Sequence, residues 1–226
     1  MVTFKSDAQI EILDACCCAG ACSVGLRMAF PNARVTGVDI RSQRHYLYNF
    51  VQADAVEYIK QNGRQFDFIW ASPPCEHYSK ATAQQRQRGT NYPDLVVAIR
   101  QVLDETGKPY IIENAPQAPL LNPIRLCGQM FRDRVKLLRH RIFEANFSLV
   151  EPEHPTHVGL TRGPSEDDDY AVVVPGSWNA PNFGDWNRET WQRAMGINWM
   201  TMREMAQAVP PVYAQYLAQF IPLRAN

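Results

Sequence analysis

The sequence predicts an α/β protein built on a doubly wound, mostly parallel sheet, and three observations carry that prediction. Short apolar runs alternate with helix-like stretches. Acidic residues recur just after the apolar runs, where an open α/β sheet gathers its ligands. A stiff two-proline turn, Ser72-Pro73-Pro74-Cys75-Glu76, follows one of those runs. In order, residues 10–13 read as a strand, followed by a loop of small residues and a helix through 24–28. Residues 33–40 form a second strand ending at Asp39, and a third ends in Val51-Gln52-Ala53-Asp54. Asp54 caps a helix over 55–61, whose Val56 and Ile59 share one face. Residues 66–71 are a buried fourth strand, 95–103 a helix, and 110–112 a fifth strand that delivers Glu113 and Asn114. The polar stretch 84–91 reads as a mobile loop. Residues 151–186, rich in Pro, Gly, Asp and Asn, read as an irregular insertion, and helices near 191–205 and 212–220 flank Pro210-Pro211. This gives a core over 1–146, a small insertion over 147–188 and C-terminal helices over 189–226 that return to the core.

Composition bounds the function loosely. The chain has 226 residues with 23 basic and 23 acidic side chains, so its net charge does not advertise a polyanion partner. Charge is segregated, however. Residues 125–141 hold six basic residues against one acidic, and 144–170 hold seven acidic against one basic. Such a strip is either a phosphate contact beside a solvated edge or two exposed faces. No signal peptide or long apolar span stands out, which predicts a cytoplasmic protein without a membrane. Six cysteines, three of them consecutive at Cys16-Cys17-Cys18, do not make a disulfide framework in a chain of this length. On an extended strand neighbouring cysteines point to opposite faces, so small packing residues are favoured over a metal or iron–sulfur site.

The strand ends carry Asp14, Asp39, Asp54, Cys75 and Glu113. The thiol of Cys75, held by two prolines, is a candidate nucleophile, against the plain alternative of a small buried cysteine. Asp39 lies about 20 residues beyond the Ala19-Gly20-Ala21 turn, at the spacing of a ribose-binding acid. Because Cys18-Ala19-Gly20-Ala21-Cys22-Ser23 lacks the Gly-x-Gly-x-x-Gly fingerprint, a nucleoside is favoured over a dinucleotide. Each aspartate alone is more often a cap or turn residue.

In this order the motifs resemble those of the cytosine carbon-5 DNA methyltransferases. Leu13-Asp14-Ala15-Cys16-Cys17-Cys18-Ala19-Gly20-Ala21 resembles the first, cofactor-binding motif. Pro73-Pro74-Cys75 matches the nucleophile motif, Glu113-Asn114-Ala115 resembles Glu-Asn-Val, and Arg139-His140-Arg141 resembles Arg-x-Arg. Ala208-Val209-Pro210-Pro211-Val212 resembles the late motif that returns to the cofactor pocket, with Ala194-Met195-Gly196-Ile197 a weaker match before it. The resemblance implies a Rossmann-like, S-adenosylmethionine-dependent methyltransferase sheet in a compact, phage-like member with DNA as partner. It implies that S-adenosylmethionine is held by Asp14, Cys16, Ala19, Gly20, Asp39, Ile40, Asp54, Ala55, Pro73, Gln207 and Val209. Cys75, Glu113, Arg139 and Arg141 are then catalytic, and Ser79, Arg86, Arg88 and Asn114 face substrate or DNA. Cytosine carbon 5 is a poor nucleophile. The implied route therefore adds the Cys75 thiolate to carbon 6 while Glu113 supports N3 and Arg141 the carbonyl, on a base flipped from the duplex.

The chain departs from the pattern at several points. Cys16 replaces an aromatic, Cys18 a glycine, Glu76 a glutamine and Leu137 another glutamine. Gln207 replaces an asparagine near the donor group, which keeps transfer of a modified group open. The short, acidic segment after the arginine motif implies a short or relaxed target site. An enzyme acting on free cytosine nucleotides, and a non-catalytic adenosine-binding module, remain as alternatives.

Overall fold

The computed structural model describes residues 9–79, 82–157 and 188–223. Five strands run parallel: β1 (Glu11–Ala15), β2 (Arg34–Asp39), β3 (Asn49–Gln52), β4 (Phe68–Ala71) and β5 (Tyr110–Asn114). With β6 (Ile124–Leu126) and β7 (Arg141–Ala145) they form a seven-stranded sheet of order β3-β2-β1-β4-β5-β7-β6, in which β7 is antiparallel to both neighbours. The chain winds outward from β1 to β3, then resumes at β4 on the other side of β1. That reversal creates a crevice at the carboxyl ends of β1 and β4.

Both faces of the sheet are covered, so the central strands must be apolar on both sides. All four residues of β4 are buried. Alternate residues feed separate cores. Ile12, Val35, Phe68, Trp70 and Phe143 pack with α1 (Ala21–Ala29), α5 (Arg188–Met195), α6 (Met202–Gln207) and α7 (Pro211–Ala218). Leu13, Val38, Ile69 and Ile112 pack with α2 (Ala55–Asn62) and α4 (Val96–Thr106). The closest helix contact joins the two ends of the chain: a Cβ on Gly25 of α1 would lie 2.1 Å from the carbonyl oxygen of Pro211. Only a residue without a side chain lets α7, and with it the 208–212 segment, seat against the helix that follows the first loop.

Several expectations need correction. The single helix expected over 191–205 is two, because Gly196 takes a left-handed turn (φ 67°) after α5 and Thr201 starts α6 with a capping box to Glu204. The loop expected over 84–91 contains a short helix, α3 (Ala83–Gln87). The cysteines 16–18 do not extend a strand; they lie in the loop after β1, with Cys16 and Cys18 at positive φ. Strands β6 and β7 were not expected. Of the insertion over 147–188, residues 147–157 carry no helix or strand, and the remainder falls outside the described residues up to Arg188. Among the described residues no helix is long and apolar enough to cross a membrane.

Candidate active site

Three elements converge at the crevice. β4 ends at Ala71 and leads into the Pro73-Pro74-Cys75 turn. The turn is tightened by the N–H groups of Tyr78 and Ser79, which donate to the Cys75 carbonyl at 3.0 and 2.8 Å. β5 runs alongside, with Ala71 opposite Ile112, so Glu113 and Asn114 project beyond the end of β4. The antiparallel direction of β7 matters here, because it starts rather than ends at this edge and so brings Arg141 to Glu113. The Arg141 Nε to Glu113 Oε1 distance is 2.9 Å, with both side chains largely buried.

Burial dominates the electrostatics. It pushes the Glu113 carboxyl up from its ordinary range, against Arg141, Ser72 and Arg139, which favour the anion. Burial likewise pushes the Cys75 thiol up, opposed first by Arg141; Glu113 and Glu76 push it further and Arg139 opposes them. Thiol and carboxyl therefore sense each other's charge and the same arginines. Burial holds both groups toward their protonated forms, while the arginines favour both anions. Moving one proton from Cys75 to Glu113 yields thiolate and acid with no change in net charge.

Other expected site residues brace this centre. Asn114, expected to face substrate, is fully buried. Its Nδ2 donates to the Pro73 carbonyl at 3.0 Å and its Oδ1 accepts from the Ala115 N–H at 2.8 Å, so it fixes the nucleophile turn instead. Arg139, expected beside the substrate or a phosphate, is 4% exposed and donates to the Ala206 carbonyl at 2.6 Å, while the Arg139 carbonyl accepts from the Tyr213 hydroxyl at 2.6 Å. Burial, then Arg141, lowers its pKa to about 9. It ties the Arg-x-Arg segment to the late helices. Arg86 likewise turns inward, donating through Nη1 to the carbonyls of Glu76 (2.7 Å) and Ser79 (2.8 Å). Arg88 is exposed and Ser79 half-buried.

The cofactor candidates line the neighbouring strand ends. Asp14 closes β1, fully buried, and accepts from Ser23 Oγ at 2.5 Å. Its Oδ1 has no hydrogen-bond partner among the described residues. Asp39 accepts from the Cys18 N–H at 3.1 Å and the Arg41 N–H at 2.9 Å, so it organises the first loop while keeping lone pairs on each oxygen. Asp54 is the N-cap of α2, accepting from the Glu57 N–H at 3.1 Å, and Ala55 begins that helix. Ile40, which directly follows Asp39, is 65% exposed. Gly20 caps α1 in a left-handed turn (φ 82°), and a side chain there would strike the Tyr46 ring at 2.8 Å. Cys16, Ala19 and Gly20 share this loop. Trp199 Nε1 donates to the Ala19 carbonyl at 3.0 Å, bringing the C-terminal segment onto it. Gln207 ends α6, exposed, whereas Val209 is packed in the core.

Burial raises the Asp14 carboxyl from 3.8 to about 7, with Ser23 opposing through hydrogen bonds. A carboxylate raised on folding penalises the native state as pH climbs. The penalty is absent below the unfolded value and complete above the folded one. Asp14→Asn, which keeps an acceptor for Ser23, is therefore expected to stabilise the protein at pH 8 by roughly 2 kcal/mol or more and to leave it nearly unchanged near pH 4. Thermal denaturation at the two pH values measures this, and an equal shift at both would remove burial as the cause.

A parallel-centred sheet, a switch-point crevice and acids at successive strand ends define a Rossmann-like methyltransferase fold. The Entamoeba histolytica methyltransferase EhMeth shares it, with a TM-score of 0.61 over 95% of this chain and 98% of that one at 12% identity. Human methyltransferase-like protein 13 in complex with SAH aligns more weakly, with a TM-score of 0.34 at 13% identity over 68% and 77% of the two chains. Residues 10–121 match the sequence profile of the C-5 cytosine-specific DNA methylase family. A search of curated protein sequences found no match.

Proposed function

We propose that the protein transfers the methyl group of S-adenosylmethionine to carbon 5 of cytosine in DNA through a covalent Cys75 adduct. The observation that carries this is the meeting of a thiol, a buried carboxyl and an arginine at one sheet edge, with Glu113 and Arg141 paired at 2.9 Å. The residues present also fit the cofactor. Asp14 Oδ1 is a buried acceptor in want of a donor, the Asp39 oxygens can accept further bonds from ribose hydroxyls, and exposed Ile40 offers an apolar wall for adenine. When bound, S-adenosylmethionine supplies an electrophilic methyl.

The chain's own residues do the rest. With cytosine in the crevice, Cys75 gives up its proton and adds to carbon 6, forming the S–C bond. Glu113 in its acid form donates to N3, so the ring carries no net negative charge as carbon 5 becomes nucleophilic. Arg141, already held by Glu113, supports the carbonyl oxygen. After carbon 5 is substituted, its proton passes to solvent water, the S–C bond breaks to restore the ring double bond, Cys75 recovers as thiolate and N3 returns its proton to the Glu113 carboxylate. Asn114 and Arg86 keep the nucleophile turn fixed throughout.

A second reading, methylation of a free cytosine nucleotide, draws on a specific observation. Of Arg86, Arg88, Arg139 and Arg141, three are bonded within the protein, so among these four the exposed Arg88 is the one open to a phosphate. One experiment separates them. Duplex DNA carrying 5-fluorocytosine is expected to trap the protein in a covalent complex that survives denaturing electrophoresis, because fluorine cannot leave as a proton does. A complex formed only with the fluorinated nucleotide would give the free-nucleotide reading. No complex with either would remove the covalent route.

A further inference from the structure

Three of the chain's five histidines gather around one buried cysteine, away from Cys75. Cys127 follows β6, His140 sits between Arg139 and Arg141 at the start of β7, and His154 and His157 lie in the segment after β7. Their ligand atoms all lie within 4.8 Å of one another. Cys127 Sγ is 3.4 Å from His157 Nε2, and His140 Nε2 is 3.2 Å from His154 Nε2. The three rings crowd at centroid separations of 4.7 to 5.4 Å.

Two of the six separations match the edges of a tetrahedron around a metal, and the others are no longer than 4.8 Å. With zinc–sulfur bonds of about 2.3 Å and zinc–nitrogen bonds of about 2.0–2.1 Å, the edges come to about 3.3 Å between nitrogens and about 3.6 Å between nitrogen and sulfur. Two isolated hydrogen bonds, thiol to imidazole and imidazole to imidazole, explain each short distance separately. They do not explain why both pairs share one point, with four side chains from three chain segments ordered around it. One thiolate and three imidazoles fill a tetrahedron, leaving no position for water, and a closed set of this kind is structural rather than catalytic.

We propose that Cys127, His140, His154 and His157 form a structural zinc site that fastens the Arg139–Arg141 segment to the chain on either side of it. His140 is bonded next to Arg141, so the ion fixes the register in which Arg141 meets Glu113. The same ion anchors the point at which the chain leaves toward residue 158. The sequence carried a trace of this in His154-Pro155-Thr156-His157, two ligands three residues apart, but the distant Cys127 and His140 join them only through the unexpected β6 and β7.

The test reads metal rather than methyl transfer, so its outcome is independent of the function proposed above. Protein made without a polyhistidine tag is expected to contain about one zinc per chain by elemental analysis. After chelation, cobalt(II) added in its place should give the intense visible bands of a tetrahedral site with a thiolate charge-transfer band. Cys127→Ser should remove that band, and His154→Ala should weaken zinc binding by at least about tenfold in competition with a chromophoric chelator. Should Cys127→Ser fail to fold, His154→Ala and the cobalt spectrum of the unaltered chain decide the matter. A chain that neither contains nor takes up zinc, an octahedral cobalt spectrum, copper recovered in place of zinc, or undiminished zinc binding by His154→Ala would each overturn the site.

Discussion

Cys75→Ser is expected to lower methyl transfer by about 10⁴-fold or more while leaving S-adenosylmethionine affinity and melting temperature unchanged. Serine is close in shape, and Cys75 is half-buried at a turn held by backbone bonds and by Asn114, so the substitution removes chemistry rather than packing. A hydroxyl is far less acidic than a thiol, and the Glu113 carboxylate is too weak a base to bring it into the anionic form that adds to carbon 6. The other cysteines do not substitute. Burial, reinforced by the nearby charges of Asp14 and Asp39, pushes Cys16, Cys17 and Cys18 up, and burial with Asp14 does the same to Cys22. Among the described cysteines Cys75 is the one whose thiolate the charges of Arg141 and Arg139 favour. Initial rates with labelled cofactor, paired with calorimetric binding, measure the effect. A serine variant within about tenfold of the wild-type rate would sink covalent catalysis by this residue.

What the sequence made legible follows from how each element is stabilised. β4 and β5 stand out because strands buried on both faces are largely apolar, whereas the edge strand β3 has no buried residue and is marked instead by the Asp54 cap that follows it. β6 and β7 escaped because their signals are polar or brief. β6 has three residues. β7 contains Glu144, whose burial is supported by a distant partner, Arg100, through bonds of 2.6 and 2.7 Å. A charge neutralised across 44 positions leaves no local mark. The same limit applies at the site. Arg139, Arg86 and Asn114 were recognisable as motif or loop residues, but their direction depends on carbonyls at Ala206, Glu76 and Pro73 that only the fold brings near. Residue type singled out the candidate reacting groups, whereas packing decided which polar side chains brace them.

The prediction that separates acid catalysis from mere charge pairing concerns Glu113→Gln, whose two expected effects run in opposite directions. Removing the carboxylate removes a negative charge that raises the Cys75 thiol and releases Arg141 to favour the thiolate. The thiol pKa falls, and alkylation of Cys75 at pH 8, followed by mass spectrometry of its peptide, becomes faster than in the wild type. Methyl transfer nevertheless drops by about 10²- to 10⁴-fold, because glutamine can hydrogen-bond to N3 but cannot give it a proton. A role limited to holding Arg141 predicts instead that alkylation and transfer change together. The pH dependence adds a further sign. The wild type needs Cys75 without its proton and Glu113 with one, so its rate follows a bell whose limbs belong to the coupled pair. Glu113→Gln should lose the alkaline limb and retain a rate that only rises with pH. A variant that keeps the bell, or transfers methyl at the wild-type rate, would remove Glu113 as the acid. The buried Arg141 left without its partner also lowers stability by about 3 kcal/mol, so rates are compared at a temperature where both proteins remain folded.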